Sequence, residues 1–161
     1  MRIEAAAWGQ LAAICRGLPD RPMSLHSQRI LLQVQGHSLY LIAWADERPL
    51  GHVVLQWPTW PERPWAVEWQ ARYGCCFILD LWVEPGSRNQ GIGRALMSMA
   101  ESLCRKQGHP SVGLHMGLDE GYRAALNIYH SMDYKDLGHG LFIESSPGAV
   151  ERVIFLLKEL A

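Results

Sequence analysis

Apolar and polar positions fall into blocks along the chain, and the sharpest block runs from Phe77 to Leu103, FILDLWVEPGSRNQGIGRALMSMAESL. It begins with a run of strand formers (Phe77, Ile78, Leu79, Leu81, Trp82, Val83) that stops at Pro85 and Gly86. A small polar loop follows. Apolar residues then recur at Ile92, Ala95 with Leu96, Met99 with Ala100, and Leu103, the one-sided spacing of an amphipathic helix from about Gln90 to Gln107. Arg105 and Lys106 suit its last turn, Gly108 suits a left-handed cap, and Pro110 follows. The pattern predicts strand, loop, helix.

The flanking segments extend this order. Arg2 to Ala5 reads as a short strand, and Ala6 to Leu18 places Trp8, Leu11, Ala12, Cys15 and Leu18 near helical spacing before Pro19. A second helix is expected from Ser24 to about Gln33, with Leu25, Ile30, Leu31 and Val34 inward, on an imperfect period. Ser38 to Ala45 and Leu50 to Trp57 are strand runs joined by Asp46-Glu47-Arg48-Pro49, a hairpin with a four-residue connection. Pro58 to Gly74 has no period and carries Trp60, Trp65 and Trp69; its rings either wall a substrate or cover a satellite cluster or dimer contact. Ser111 to Met116 is a short strand reached by a crossover from the central one and therefore expected to run parallel to it. After the turn residues Gly117 to Gly121, a helix from Tyr122 to about Met132 puts Ala125, Ile128, Tyr129 and Met132 on one face. Tyr134 to Ser145 and Ala149 to Leu157 are read as a closing hairpin, although VERVIFLLKEL fits a helix by pattern alone.

Composition narrows the function classes. The 161 residues suit one domain, 1–161, able to bury about 70% of the surface its unfolded chain exposes. A formal net charge of -1 offers no global field for nucleic acid or anionic membrane, so the arginines act locally. No apolar run approaches a membrane span, and Glu4, Gln10 and Arg16 interrupt any signal-peptide core; a cytoplasmic protein is expected. Cys15, Cys75, Cys76 and Cys104 lack C-x-x-C spacing, so neither a metal site nor a disulfide framework is expected. The vicinal Cys75-Cys76 pair is read as small apolar packing, with a redox site as the alternative.

The loop Arg88-Asn89-Gln90-Gly91-Ile92-Gly93 sets two glycines at a helix start, where amides lack internal acceptors and the dipole is positive. Such a socket holds an anion, and Arg88 can add a charged fork to a diphosphate. It lacks the Lys-Ser/Thr of a P-loop and the third glycine of a dinucleotide fingerprint. With Leu81-Trp82-Val83-Glu84-Pro85 before it and a helix bearing Ala125 and Tyr129 just before Met132-Asp133-Tyr134 after it, the stretch resembles the GNAT-type N-acetyltransferases. The resemblance covers Phe77 to Gly138 well and the flanking strands loosely. Tyr122 stands where that family often has Asn, Asp133 where it usually has Gly, and Asn89 where Gly is common.

The resemblance implies an acyl-CoA N-acyltransferase fold: an α/β chain of α+β type, with a mixed, mostly antiparallel sheet of about six to seven strands flanked by about four helices. It implies acetyl-CoA as co-substrate and a peptide or small-molecule primary amine as acceptor, attacked directly without a covalent enzyme intermediate. By position, the backbone of Leu81, Trp82 and Val83 would pair with the pantetheine arm. Arg88, Asn89, Gln90, Gly91, Ile92, Gly93 and Arg94 would surround the pyrophosphate, and Tyr122 and Ala125 would line the cofactor from the later helix. Tyr129 would hydrogen-bond the leaving thiolate; full proton donation from a phenol of pKa about 10 to a thiol of about 8.5 is uphill by roughly 2 kcal/mol. A protonated amine needs a base, for which Asp80 and Glu84 are the first candidates, with His52 and Glu68 behind them. The alternative is a non-catalytic acyl-CoA-binding module of the same fold. Pairing into a homodimer is compatible with the sequence, which carries no direct sign of it.

Overall fold

The computed structural model describes residues 1–58, 71–118, 122–146 and 148–160. The expected tryptophan loop (Trp60, Trp65, Trp69), Glu68 and the side chain of Tyr122 lie outside the described residues. Seven strands form one sheet: β1 (Arg2–Ala5), β2 (Ser38–Ala45), β3 (Arg48–Gln56), β4 (Cys75–Val83), β5 (Ser111–Gly117), β6 (Lys135–Ser146) and β7 (Ala149–Glu159), in the order β1-β2-β3-β4-β5-β7-β6. Every neighbouring pair is antiparallel except β4 with β5. Four α-helices are described: α1 (Leu11–Gly17), α2 (Met23–Val34), α3 (Ile92–Lys106) and α4 (Tyr122–His130). The mixed sheet and the parallel central pair agree with the expectation from sequence. None of the described helices is long and apolar enough to cross a membrane.

Two buried clusters flank the sheet. Leu96, Met97, Ala100 and Cys104 of α3 pack on Leu41, Val53, Ile78, Val112 and Ile154. On the other face, Ile14, Leu18 and Ile30 of the early helices pack on Tyr40, Ile42 and Trp44 of β2. Strand β4 serves both, with Leu81 and Val83 against the α3 cluster and Leu79 and Trp82 against the other. Cys76 and Cys104 are buried within the α3 cluster, and Cys75 is buried beside Phe77 in a third, smaller one. The last segment is strand because Val153 to Leu156 are buried between two partner strands, β5 and β6.

Local chemistry corrects several boundaries and faces. The Ala6 to Leu18 stretch is a single 3-10 turn, Trp8–Gln10, followed by α1, and Trp8 is half exposed. The Gln10 side chain accepts from the Ala7 amide at 2.9 Å and donates to Glu4 at 2.7 Å, capping that turn. The first hairpin turns at Asp46-Glu47 rather than over four residues, because Ala45 pairs with Arg48 and Asp46 takes φ 51°. Pro49 is tolerated in β3 beside the register shift at Ala43/Trp44. In α2 the inward side chains are His26, Arg29 and Ile30, whereas the expected Leu31 and Val34 are exposed. In α3 Met97 rather than Met99 faces inward, and in α4 Ile128 is exposed.

Candidate functional site

The cleft originates in a defect of β4. Along β3 the register steps from Val54↔Leu79 to His52↔Trp82, so Asp80 and Leu81 oppose the single residue Val53. Asp80 takes the left-handed backbone, φ 57°, at this bulge. Bulges bend and twist their strand. Accordingly, pairing of β4 with β5 extends only from Cys75↔Ser111 to Ile78↔Leu114. Beyond it β5 follows β7 to Gly117↔Val153, while β4 follows β3 to Gly51↔Val83. The parallel strands therefore part, and the edge of β4 from Leu79 to Val83 is left without β5 pairing. Backbone amides and carbonyls on such an edge suit an amide-bearing chain laid beside them.

At the end of this edge lies the loop singled out in the sequence. Glu84 accepts from the Gly86 amide at 3.0 Å and from Ser87 Oγ at 2.8 Å, fixing a 3-10 turn over Pro85–Ser87. Arg88 Nε donates to the Val83 carbonyl at 3.0 Å. Asn89 and Gly91 then adopt φ 60° and 80°, which aims the chain into α3. The first intrahelical bond runs from the Ala95 amide to the Gly91 carbonyl at 3.0 Å, so the amides of Ile92, Gly93 and Arg94 precede the ladder. A Cβ at Gly93 would meet Val83 Cγ2 at 3.7 Å and Leu81 Cδ2 at 4.0 Å, ordinary contact. Nothing in the protein itself bars a side chain there. The glycine instead keeps clear the ground over the end of β4, so these residues fit a diphosphate with an arm running along the strand. Arg94 Nη2 donates to Ser131 Oγ at 2.5 Å, tying the start of α3 to the end of α4.

Tyr129, on α4, packs against the α3 cluster with its ring edge-on to Tyr134 at 5.9 Å. Its hydroxyl has no hydrogen-bond partner among the described residues, and burial raises its pKa, so the phenol keeps its proton as a donor. Ala125 is half buried one turn earlier. The neighbouring Tyr134 is committed elsewhere, donating to Glu101 Oε1 at 3.0 Å, while Lys158 donates to Glu101 Oε2 at 2.7 Å. Asp133 takes φ 68°, the left-handed conformation that a glycine at this position would supply.

The two first-choice bases are not placed alike, and neither is a free carboxylate. Asp80 Oδ1 accepts from Arg21 Nη2 at 2.6 Å, and Oδ2 pairs with the buried Arg29. Glu84 is half-buried and spends both oxygens on its turn, which lowers its pKa through the Gly86 amide and then the Ser87 hydroxyl. His52 is buried on the opposite side of the sheet from α3, stacked on Trp82 at 6.1 Å, with Nε2 3.0 Å from Asp20 Oδ2. His26 bridges the Leu18 carbonyl at 3.0 Å and the Tyr40 hydroxyl at 2.7 Å. A carbonyl only accepts, so His26 Nε2 donates and Nδ1 accepts from Tyr40. Sequence reasoning missed Asp20, His26, Arg29 and Tyr40. The available signal was the imperfect period of α2, whose inward positions are polar.

The model of the Acetyltransferase (GNAT) family matches residues 6–134. Ribosomal-protein-alanine N-acetyltransferase from Brucella melitensis superposes with a TM-score of 0.75 at 17% identity, covering 99% of this chain and 100% of that one. A Salmonella typhimurium protein solved with its cofactor acetyl-CoA gives 0.73 at 16%, covering 100% and 94%. An aminoglycoside 6'-N-acetyltransferase complexed with coenzyme A gives 0.66 at 15%, covering 100% and 98%. Among curated proteins, none matches this sequence.

Proposed function

Since the chain belongs to the GNAT acetyltransferase family, we propose that it transfers the acetyl group of acetyl-CoA to a primary amine by direct attack. The observation that carries this reading is the unpaired edge of β4, Leu79 to Val83, ending in an amide-rich loop whose Gly93 the fold itself does not require.

Acetyl-CoA supplies the acyl group as an activated thioester. In this reading the backbone of Leu81, Trp82 and Val83 holds the pantetheine amides, and an amide at the Val83 end of β4 polarises the thioester carbonyl. The amides of residues 88–94 take the pyrophosphate; Arg88 swings from the Val83 carbonyl to add its charge. Tyr129 donates a hydrogen bond to sulfur as negative charge develops there, and Tyr122 and Ala125 line the same side. Asp80 sits between two guanidinium groups and holds the bulge. Glu84 shapes the turn beneath the loop.

The test is thiol release from acetyl-CoA with a panel of amines: a peptide beginning with alanine, an aminoglycoside, free lysine and spermidine. Amine-dependent release with a matching acetylated product supports the transferase. Tight coenzyme A binding with no release for any amine points to a non-catalytic acyl-CoA module.

A further inference from the structure

Three consecutive residues at the end of α4 point in three directions, each toward a different part of the fold. Tyr129 turns inward against the α3 cluster. His130 Nε2 donates to Asp136 Oδ1 on β6 at 2.5 Å, and Ser131 Oγ accepts from Arg94 Nη2 on α3 at 2.5 Å. Successive side chains on a helix are rotated by about 100°, so the three contacts do not compete for one face. The carbonyl of Tyr129 takes the amides of Met132 at 2.9 Å and Tyr134 at 3.1 Å, and Asp133 turns the chain at φ 68°. Backbone and side chains together therefore fix the last turn around the residue that carries the phenol.

The Ser131 hydroxyl has one hydrogen and gives it to the Ile128 carbonyl at 2.6 Å, which leaves its lone pairs for Arg94. Both side chains are exposed, so the bond between them adds little to stability. Its contribution is geometric. Arg94 is the third residue of α3, and its amide is one of those preceding the helical ladder, the group assigned above to the pyrophosphate. One residue thus belongs to two places: its backbone lies at the diphosphate socket and its side chain on the helix end beside Tyr129. A guanidinium carries five N–H donors in a planar fork, so Nη2 can stay on Ser131 while other donors remain for phosphate oxygens.

We propose that Arg94 and Ser131 are positioning residues for the transfer: the hydrogen bond between them fixes the end of α4 against the diphosphate socket and so sets where the Tyr129 hydroxyl meets the sulfur. This rests on the acetyl-transfer reading, in which pyrophosphate and thioester are parts of one extended cofactor. With the diphosphate held at one point and the sulfur at another, the separation of socket and phenol must match the length of the arm between them. The tie joins those two points through a single side chain, and neither Arg94 nor Ser131 touches the reacting atoms. Misplacing a catalytic group by about 1 Å costs up to about 100-fold in rate, and loosening one of several anchors costs less. The coupling also runs in the other direction: a ligand filling the socket orders Arg94 and, through it, the last turn of α4.

Kinetics and hydrogen exchange on the full chain test it. With the amine of the panel turned over fastest, Ser131→Ala is expected to lower kcat by roughly tenfold, with KM for acetyl-CoA within about threefold of wild type. Ser131→Thr keeps the hydroxyl and is expected to restore kcat. In a Tyr129→Phe background, Ser131→Ala should change kcat by less than about twofold, because the tie acts through the phenol. A wild-type kcat in Ser131→Ala, or the same loss with and without the phenol, would overturn the positioning role. With coenzyme A alone, exchange of the amides at positions 131, 132 and 134 should slow by about tenfold in wild type and far less in Ser131→Ala. Equal protection in both, or none in either, would overturn the coupling. A wild type that binds coenzyme A yet acetylates no amine overturns the transfer reading and the positioning role with it, while the exchange comparison still decides the tie itself.

Discussion

The two faces of β4 are built by different means. Toward α3, the strand offers Leu81 and Val83 to an apolar cluster, and the polar work at its end belongs to backbone amides and two glycines within one short loop. Toward α1 and α2, the same strand meets His52, Arg29, Asp20 and Tyr40, side chains drawn from four elements and buried together. The first face offers backbone groups rather than polar side chains and depends little on the side chains around it. The second is a charged network, where removing one member leaves the others desolvated and unpaired.

The contrast is broken most directly by charge. Arg29→Met leaves Asp80 with Arg21 alone and removes the cation over the Tyr40 ring, and chemical denaturation is expected to show a loss on the order of 3 kcal/mol, against under about 0.5 kcal/mol for Arg88→Met on the exposed loop. Equal small losses would remove the distinction. Acid is the next lever. Burial depresses the pKa of His52 from 6.5 to about 4, and that of His26 also falls, so the unfolded chain protonates first. Stability is full above about pH 6.5 and is lost as the pH falls toward 4, by on the order of 3 kcal/mol from His52. Denaturation midpoints across that window check it, and a flat profile would contradict a buried neutral His52.

On the donor face the effects fall on function rather than folding. Tyr129→Phe is expected to lower kcat by roughly 100-fold with little change in acetyl-CoA affinity; an unchanged kcat would remove the phenol from the reaction. Gly93→Val places its side chain over Val83 and Leu81, and calorimetry should show acetyl-CoA binding weakened by about tenfold or more, near 1.4 kcal/mol. A melting temperature that falls in step would mean that the glycine serves the fold instead.

The unequal legibility of the two faces follows from their construction. Strand, loop and helix from Cys75 to Lys106 lie in one continuous stretch, and the chemistry of the loop depends on glycine and on a helix start, both local. The register step at Asp80 is not local: it depends on β3 and on two arginines far away in sequence, so the ion pairs that hold this carboxylate at a left-handed residue could not be read from its neighbours. Likewise, the apolar period of α2 pointed to Leu31 and Val34, which are exposed, because the position that matters is filled by a buried arginine paired across the core. Asp133 shows the reverse: a departure from the expected glycine that keeps the required backbone, at φ 68°.

A crystal structure of the protein with acetyl-CoA tests the central claim most directly. The division of β4 predicts the pantetheine amides hydrogen-bonded along Leu79 to Val83, the pyrophosphate on the amides of residues 88–94, the sulfur beside Tyr129, and an open path from the thioester to the bulge at Asp80. Coenzyme A bound anywhere else, or β5 closed against that edge with the cofactor excluded, would contradict it.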